Sequence, residues 1–176
     1  MLARAGVAER VTVVSEFSSY TWWLKEQVAA RTDAHGNVAP RFDFVYLDGA
    51  KNWTVDGLAV VLVEKLLRPG GWLLMDDLGW TYAQASPTRP ATDGVVHREL
   101  SEPERTQPHL RAVFDLLVAQ HPSFTDVRVQ DEWWGWARKA PGEPRRYTVE
   151  ASRPFGAVLS GEARKLWRRL KARSRR

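Results

Sequence analysis

Cysteine is absent from this chain of 176 residues, which excludes disulfide bonds and thiolate metal sites. No stretch approaches the roughly 20 consecutive apolar residues of a membrane-spanning helix. The residues after Met1 lack the apolar core and cleavage site of a secretory signal. Nine tryptophans and a hydrophobic content of 44% argue against a disordered chain. We therefore expect a soluble cytoplasmic protein whose length fits one folded domain.

Acidic residues are scarce in only one part of the chain. Residues 145–176 hold 11 Lys and Arg against two Glu, a net charge of +9, whereas residues 1–144 carry a net charge of −4. The basic character therefore belongs to a tail. It gives no reason to expect a nucleic-acid groove on the folded domain.

We divide the chain into a folded domain over residues 1–140, a linker over residues 141–159 and a basic amphipathic tail over residues 160–176. Such a tail fits peripheral contact with an anionic membrane or with an acidic partner. A frayed, solvated tail is the alternative interpretation. The expected apolar stripe of the tail consists of Leu159, Ala163, Leu166, Trp167 and Leu170.

The stretch from Arg41 to Trp80 predicts a strand, a helix and a second strand. Phe42–Leu47 is a short apolar run, and Trp72–Met75 is another. Val55–Leu67 between them has helical spacing, and the Pro and Gly residues that follow it end the helix. A unit of this length places two parallel strands side by side.

The predicted helix of this unit has a core-facing stripe and a cap. Thr54 is the expected N-cap residue, and Asp56 lies in the first turn, where the helix dipole favours a negative charge. The residues expected to face the core are Leu58, Val61, Leu62 and Leu66.

Three carboxylates follow the two predicted strands. Asp48 ends the first strand, and Asp76 and Asp77 end the second. Neighbouring strands lie about 4.8 Å apart, and ligands of open α/β sheets bind beyond the carboxyl ends of the strands. Carboxylates so close repel one another unless a cation or a hydrogen-bonded ligand neutralises them. Aspartate is also a common turn former, but three at adjacent strand ends favour a binding site.

The segments around this unit complete an α/β pattern. Val11–Val14 is predicted to be a strand and Tyr20–Ala30 a helix with Trp23, Leu24 and Val28 facing inward. A second helix is predicted over Leu110–His121, with Leu110, Val113, Phe114 and Leu117 inward. Two final strands are predicted over Asp126–Gln130 and Trp133–Arg138.

Residues 83–108 are rich in Pro, Ser, Thr and charge. A link of this length within a domain is typical of a lid or a disordered insert. Because it follows a strand end, it would cover a substrate, with Trp80, Tyr82 and His97 as candidate contacts. A solvated loop is the alternative.

Four segments of this chain resemble a known family: RAGVAERVTVV, FDFVYLDGAKNW, LLRPGG and LLMDDLGW. They are similar to the carboxyl two-thirds of class I S-adenosylmethionine-dependent methyltransferases, in particular the small-molecule O-methyltransferases, including the metal-dependent catechol type. The resemblance covers residues 2–139. It implies an α/β, Rossmann-like methyltransferase sheet that lacks the first two strands.

The resemblance also implies roles for individual residues. Lys51 matches the catalytic base and Asp48 a catalytic and metal-binding acid, with Asp76 and Asp77 as the other metal ligands. Mg²⁺ would lower the pKa of a substrate hydroxyl, and Lys51 would remove its proton. The cofactor-binding residues implied by the match are Glu16, Phe17, Ser18, Asp48 and Gly49.

One part of the family pattern is missing. Members hold the cofactor with a glycine-rich turn after the first strand and an acid after the second, and this chain contains neither. We therefore expect an amino-terminally truncated form. It would leave Val11–Val14 without a partner and expose one edge of Phe42–Leu47, an edge that would favour a homo-oligomer.

Three alternatives remain open at this stage. The first is a metal-independent methyltransferase in which Asp76 and Asp77 are structural. The second is a metal-dependent hydroxylase on the same fold. The third is a non-catalytic fragment that binds a partner or a membrane through the basic tail.

Overall fold

A computed structural model of the chain describes residues 6–84 and 100–142. These residues lie within one compact unit, Met1–Arg146. The linker and tail predicted from residue 141 onwards, apart from its first two residues, lie outside the described part, as does His97. The elements are α1 (Tyr20–Ala29), β1 (Phe42–Leu47), α2 (Trp53–Leu66), β2 (Leu67–Met75), α3 (Glu102–Thr106), α4 (His109–Val113), β3 (Phe124–Gln130) and β4 (Trp134–Lys139).

The four strands form one mixed sheet in the order β1-β2-β4-β3. β1 and β2 are parallel, and β4 runs antiparallel to both β2 and β3. The predicted strand, helix, strand unit and the antiparallel closing pair are therefore confirmed, and the fold is α/β. The carboxyl ends of β1 and β2 lie side by side, with Leu47 paired to Met75.

Helix α2 buries only part of the predicted face: Leu66 is buried as predicted, and Leu62 is partly buried against the core. Leu58 and Val61 are 50% and 47% exposed, whereas Ala59, Val60 and Val63 are buried. The helix is apolar on more than one side, so the spacing alone allowed two inward faces.

The start of α2 also differs from the prediction. Asn52, not Thr54, is the N-cap residue, and its side chain accepts hydrogen bonds from the N–H groups of Thr54 and Val55. Asparagine satisfies the free amides of a first helical turn as well as threonine does. The shift makes α2 start two residues earlier than Val55.

Strand β2 begins directly where α2 ends, at Leu67, and includes the Pro-Gly-Gly segment expected to separate them. Gly70 has a φ of 79°, a conformation in which glycine carries little strain. A Cβ on Gly71 would lie 2.8 Å from the carbonyl oxygen of Asp43 on β1. The glycines therefore let the two strands pair past an irregularity between Phe42 and Phe44.

The predicted strand over Val11–Val14 was wrong. These residues form no strand and are exposed to solvent, Val13 by 79%. A β-branched run needs a neighbouring strand to satisfy its backbone groups, and no described strand lies beside it. β1 likewise has a neighbour on one side only within the described sheet, which makes it an edge strand.

The two faces of the sheet differ. Side chains of one face pack with the helices into the core, among them Leu47, Leu73, Met75 and Ala137. The alternate positions carry mostly aromatic rings that are half-buried or exposed. These rings form the aromatic face, Phe44, Tyr46, Trp72, Trp134 and Trp136.

The remaining helices follow the predicted pattern with two changes. α4 begins at His109 and continues as a π-helical turn over Phe114–Val118. Leu110, Val113 and Phe114 are buried as predicted, and Leu24 of α1 is buried as well. Part of the predicted lid, Glu102–Thr106, is the short helix α3. Within the described ranges, no helix is long and apolar enough to cross a membrane.

Gly135 joins the sheet to α4, and its replacement tests this packing. A Cβ at this position would lie 2.6 Å from a ring carbon of Phe114. We expect Gly135→Ala to destabilise the fold by about 1–3 kcal/mol, the usual cost of overpacking. Chemical denaturation measures the change in the free energy of unfolding. In a Phe114→Leu background, which removes the clashing ring atoms, the same substitution should cost clearly less, and equal costs would contradict this contact.

Candidate functional site

The carboxyl ends of β1 and β2 bring three charged side chains together. The ammonium of Lys51 lies 3.0 Å from an oxygen of Asp48 and forms a second ion pair with Asp77. Asp48 follows β1 and Asp77 follows β2, so Lys51 joins the two strand ends. We call these three residues the charge cluster. Their side chains are partly exposed, by 50% for Asp48, 25% for Lys51 and 19% for Asp77, so the cluster is accessible to a ligand.

Two members of the cluster have unusual backbones. Lys51 has a φ of 59° and Asp77 a φ of 60°, in the left-handed region that non-glycine residues seldom adopt. Such a conformation costs of the order of 1–3 kcal/mol per residue. Strain of this kind persists only where the surroundings hold the residue in place, and it concentrates at functional sites.

Asp76 supports Asp77 from within the same turn. One oxygen of Asp76 accepts the backbone N–H of Asp77 at 2.7 Å, and the other accepts a hydrogen bond from the Tyr46 hydroxyl. Asp76 is buried, and its own N–H donates to the carbonyl of Leu47 on β1. Asp76 therefore fixes the turn and does not point freely into the site.

Asp56 is a site residue that the local sequence pattern did not reveal. It is fully buried at the start of α2. Its carboxylate accepts hydrogen bonds from the hydroxyl of Tyr20 and from the N–H groups of Ala50 and Asn52. Burial raises the pKa of Asp56, while its three donors oppose that rise. The sequence signal for Asp56 is its spacing of four and seven residues from Val60 and Val63, which places all three on the buried face of α2.

The electrostatics of the cluster favour a charged Lys51. Partial burial lowers its pKa, but hydrogen bonds and charge interactions with Asp77 and Asp48 outweigh this, and the net direction is upward. A raised lysine pKa stabilises the fold at all pH values below its ordinary value, and this contribution is lost only as the pH rises through the raised pKa. At neutral pH Lys51 is therefore a cation, which does not favour the role of a proton-removing base.

The metal ligands implied by the resemblance are not arranged as a metal site. The Lys51 ammonium lies between Asp48 and Asp77, where a divalent cation would otherwise neutralise them. Both oxygens of Asp76 are engaged elsewhere. In the part of the chain that the structure describes, no three His, Asp or Glu side chains are placed to hold a metal ion. The arrangement therefore does not fit a resident metal.

The residues expected to bind the cofactor before α1 lie on the exposed surface, apart from the charge cluster. Glu16, Phe17 and Ser18 are all exposed, and the Phe17 ring is fully so. Ser19 directly after them caps α1 by accepting the N–H of Thr21. The structure shows no contact from these residues to the charge cluster.

Of the predicted substrate contacts, Tyr82 is buried and Trp80 partly buried. Their rings pack edge to face with centroids 4.9 Å apart, and the rings of Tyr82 and His109 pack in the same way at 5.0 Å. The Tyr82 hydroxyl accepts a hydrogen bond from the side chain of Asn52 at 3.1 Å. Tyr82 therefore joins the segment after β2 to the loop that carries Lys51.

No family model and no curated protein matches this chain. Among solved structures it is similar to an O-methyltransferase from Bacillus cereus in complex with SAH, with 16% identity, a TM-score of 0.46 and coverage of 78% of this chain and 55% of the other. It is also similar to the O-methyltransferase TomG from Streptomyces achromogenes in complex with SAM, with 18% identity, a TM-score of 0.45 and coverage of 79% and 54%. The chain thus spans about half the length of these structures.

The pKa of Tyr46 is a measure of its hydrogen bond to Asp76. The hydrogen bond to Asp76, with smaller effects of burial and of nearby carboxylates, raises the pKa of Tyr46 to about 12. Because the folded state holds the phenol proton more tightly than the unfolded state does, Tyr46 stabilises the fold below its ordinary pKa of 10.0. This contribution is lost as the pH rises from 10.0 towards 12. Ultraviolet absorbance during an alkaline titration should show a late phenol ionisation that Tyr46→Phe removes. Asp76→Asn should move its midpoint towards 10, and an unchanged midpoint would contradict the contact.

The position of Lys51 between carboxylates predicts weak metal binding. Replacing it by Met leaves Asp48 and Asp77 unneutralised. A unit charge a few ångströms away is worth of the order of 1–4 kcal/mol, so Lys51→Met should increase Mn²⁺ affinity by about tenfold or more. Calorimetric titration measures this, with Lys65→Met, on the exposed side of α2, as the matched control. Tight Mn²⁺ binding by the unaltered chain that Asp76→Asn abolishes would instead support the three-aspartate site.

Proposed function

We propose that this chain carries the catalytic end of an S-adenosylmethionine-dependent methyltransferase that acts on a hydroxyl group of a small molecule or sugar. The observation that carries the proposal is the charge cluster of Asp48, Lys51 and Asp77 beyond two parallel strands. This is the place where open α/β sheets bind their ligands. The motif resemblance of the same segments supports it.

The chemistry divides between an acid and a cation. S-adenosylmethionine supplies a methyl group on a positively charged sulfur. Asp48, half-exposed beside Lys51, takes the proton of the substrate hydroxyl as the oxygen attacks the methyl carbon. The new C–O bond forms as the S–C bond breaks, which leaves a methyl ether and a neutral thioether.

Lys51 acts in this proposal as a fixed positive charge. Its ammonium donates a hydrogen bond to the substrate oxygen and stabilises the negative charge that develops there. Asp77 holds Lys51 from the β2 side. The raised pKa of Lys51 supports this role over proton removal by Lys51. No step in this scheme passes through a metal ion.

The proposed cofactor contacts are supported by the family resemblance and by the exposure of the residues concerned. Glu16, Phe17 and Ser18 would contact the adenosine part, with the exposed Phe17 ring available for stacking. Asp48 and Gly49 would lie against the methionine part. Gly49 has no room for a side chain, because a Cβ there would overlap the carboxylate of Asp56.

Methyl transfer is tested with a panel of hydroxylated acceptors and S-adenosylmethionine, with and without Mg²⁺, by mass spectrometry of the products. We expect a gain of one methyl group and little effect of chelation. Lys51→Met should lower kcat by about 10²–10³-fold, the usual effect of removing one stabilising donor. Lys65→Met is the matched control and should retain activity.

Other outcomes would identify the alternatives. A product heavier by one oxygen atom would indicate a hydroxylase. Activity that chelation abolishes would contradict the metal-free scheme. Failure to bind S-adenosylmethionine in calorimetry, by a chain that is folded, would contradict the methyltransferase proposal for this chain and favour a partner-binding role.

A further inference from the structure

We infer that Asp56 is a positioning residue that holds the loop of Lys51 in its active shape. The inference rests on the proposed function for its catalytic consequence, but its structural part stands on the described contacts alone. The carboxylate of Asp56 accepts the backbone N–H groups of Ala50 and Asn52, the residues before and after Lys51. We call this arrangement the Asp56 clamp.

The geometry of the clamp accounts for the strained backbone. One carboxylate oxygen accepts the N–H of Ala50 at 3.2 Å, and the other accepts the N–H of Asn52 at 2.7 Å. Lys51, between them, has a φ of 59°. Two amides tied to one rigid group leave the residue between them little freedom, so the clamp holds Lys51 in the left-handed conformation.

Burial makes the clamp strong and specific. Asp56 has no exposed surface, so water does not replace its donors, and loss of the Asn52 N–H would leave one buried carboxylate oxygen without its donor. Gly49 passes directly over the carboxylate, which a Cβ would overlap. The loop and Asp56 are therefore shaped to each other.

The clamp also links the loop to α1. The hydroxyl of Tyr20 donates to the same carboxylate oxygen that accepts the Ala50 N–H. The Tyr20 hydroxyl donates to the carboxylate and not to a backbone group of the loop. It therefore completes the hydrogen bonding of Asp56 without setting the dihedral angles of Lys51, which makes Tyr20→Phe a suitable control.

The direction of the Lys51 side chain follows from the clamp. With its backbone fixed, the side chain reaches both Asp48 and Asp77. If the loop relaxed, the ammonium would lose its place between the strand ends. A misplacement of about 1 Å at a reacting centre can lower a rate by roughly 10²-fold. Asp56 would thus affect the chemical step without touching the substrate.

Asp56→Asn tests the clamp, because an amide nitrogen cannot accept the second backbone N–H. Amide hydrogen exchange, followed by nuclear magnetic resonance, should show about tenfold or greater loss of protection at Ala50 or at Asn52, whichever faces the amide nitrogen. Val60 and Val63 in the middle of α2 should keep their protection. Tyr20→Phe should keep protection at Ala50 and Asn52.

The kinetic readout separates positioning from general support. We expect Asp56→Asn to lower kcat by roughly 10²-fold, with the KM for S-adenosylmethionine changed by less than about threefold, and Tyr20→Phe to change kcat far less. If the unaltered chain transfers no methyl group, the proposed function fails, but amide exchange still decides whether the clamp exists.

Two results would overturn the inference. The first is unchanged protection at Ala50 and Asn52 in Asp56→Asn. The second is a uniform loss of protection that includes Val60 and Val63, which would make Asp56 a general support of the fold. Should Asp56→Asn not fold, Gly49→Ala pushes a methyl group against the same carboxylate and should expose the same two amides.

Discussion

The left-handed backbone at Lys51 and Asp77 is the constraint on which the site depends. Each residue is held by a neighbouring buried carboxylate that accepts backbone N–H groups, Asp56 for one and Asp76 for the other. The two strained residues then meet in an ion pair across the ends of β1 and β2. Strain, hydrogen bonds and charge thus act on the same few atoms. The arrangement gives a cation a fixed position without the help of a metal ion.

Most of the fold followed from local patterns, because its elements are short and α2 leads directly into β2. The β1-α2-β2 unit was predicted since an apolar strand, a helical repeat and a Pro-Gly-Gly stop follow one another directly. The face of α2 was predicted only in part, at Leu62 and Leu66, because Leu58 and Val61 compete with Val60 and Val63 for the inward positions. The predicted strand at Val11–Val14 was wrong for another reason. A strand needs a neighbouring strand to pair with, and a local pattern carries no information about whether one is present.

The residues of the site that follow the ends of strands could be predicted from the sequence. Those that act through buried hydrogen bonds could not. Asp48 and Asp77 came together because both follow parallel strands, and Lys51 was placed with them by its match to a family motif. The role of Asp56 was hidden, because an acid in a first helical turn is ordinarily explained by the helix dipole. Tyr46 and Tyr20 were hidden as well, since a hydroxyl that binds a carboxylate 30 or more residues away leaves no local signal.

The aromatic face of the sheet has an optical consequence. The indole rings of Trp72 and Trp136 lie 6.2 Å apart at an angle of 84°, on the adjacent strands β2 and β4. Two indoles so close and so inclined couple their electronic transitions, which produces paired circular dichroism bands of opposite sign in the far ultraviolet. The guanidinium of Arg128 lies over both rings, 5.5 and 5.7 Å from their centres, within the range of cation–π contacts. This circular dichroism signal would report the pairing of β2 with β4, which joins the parallel pair of strands to the antiparallel pair.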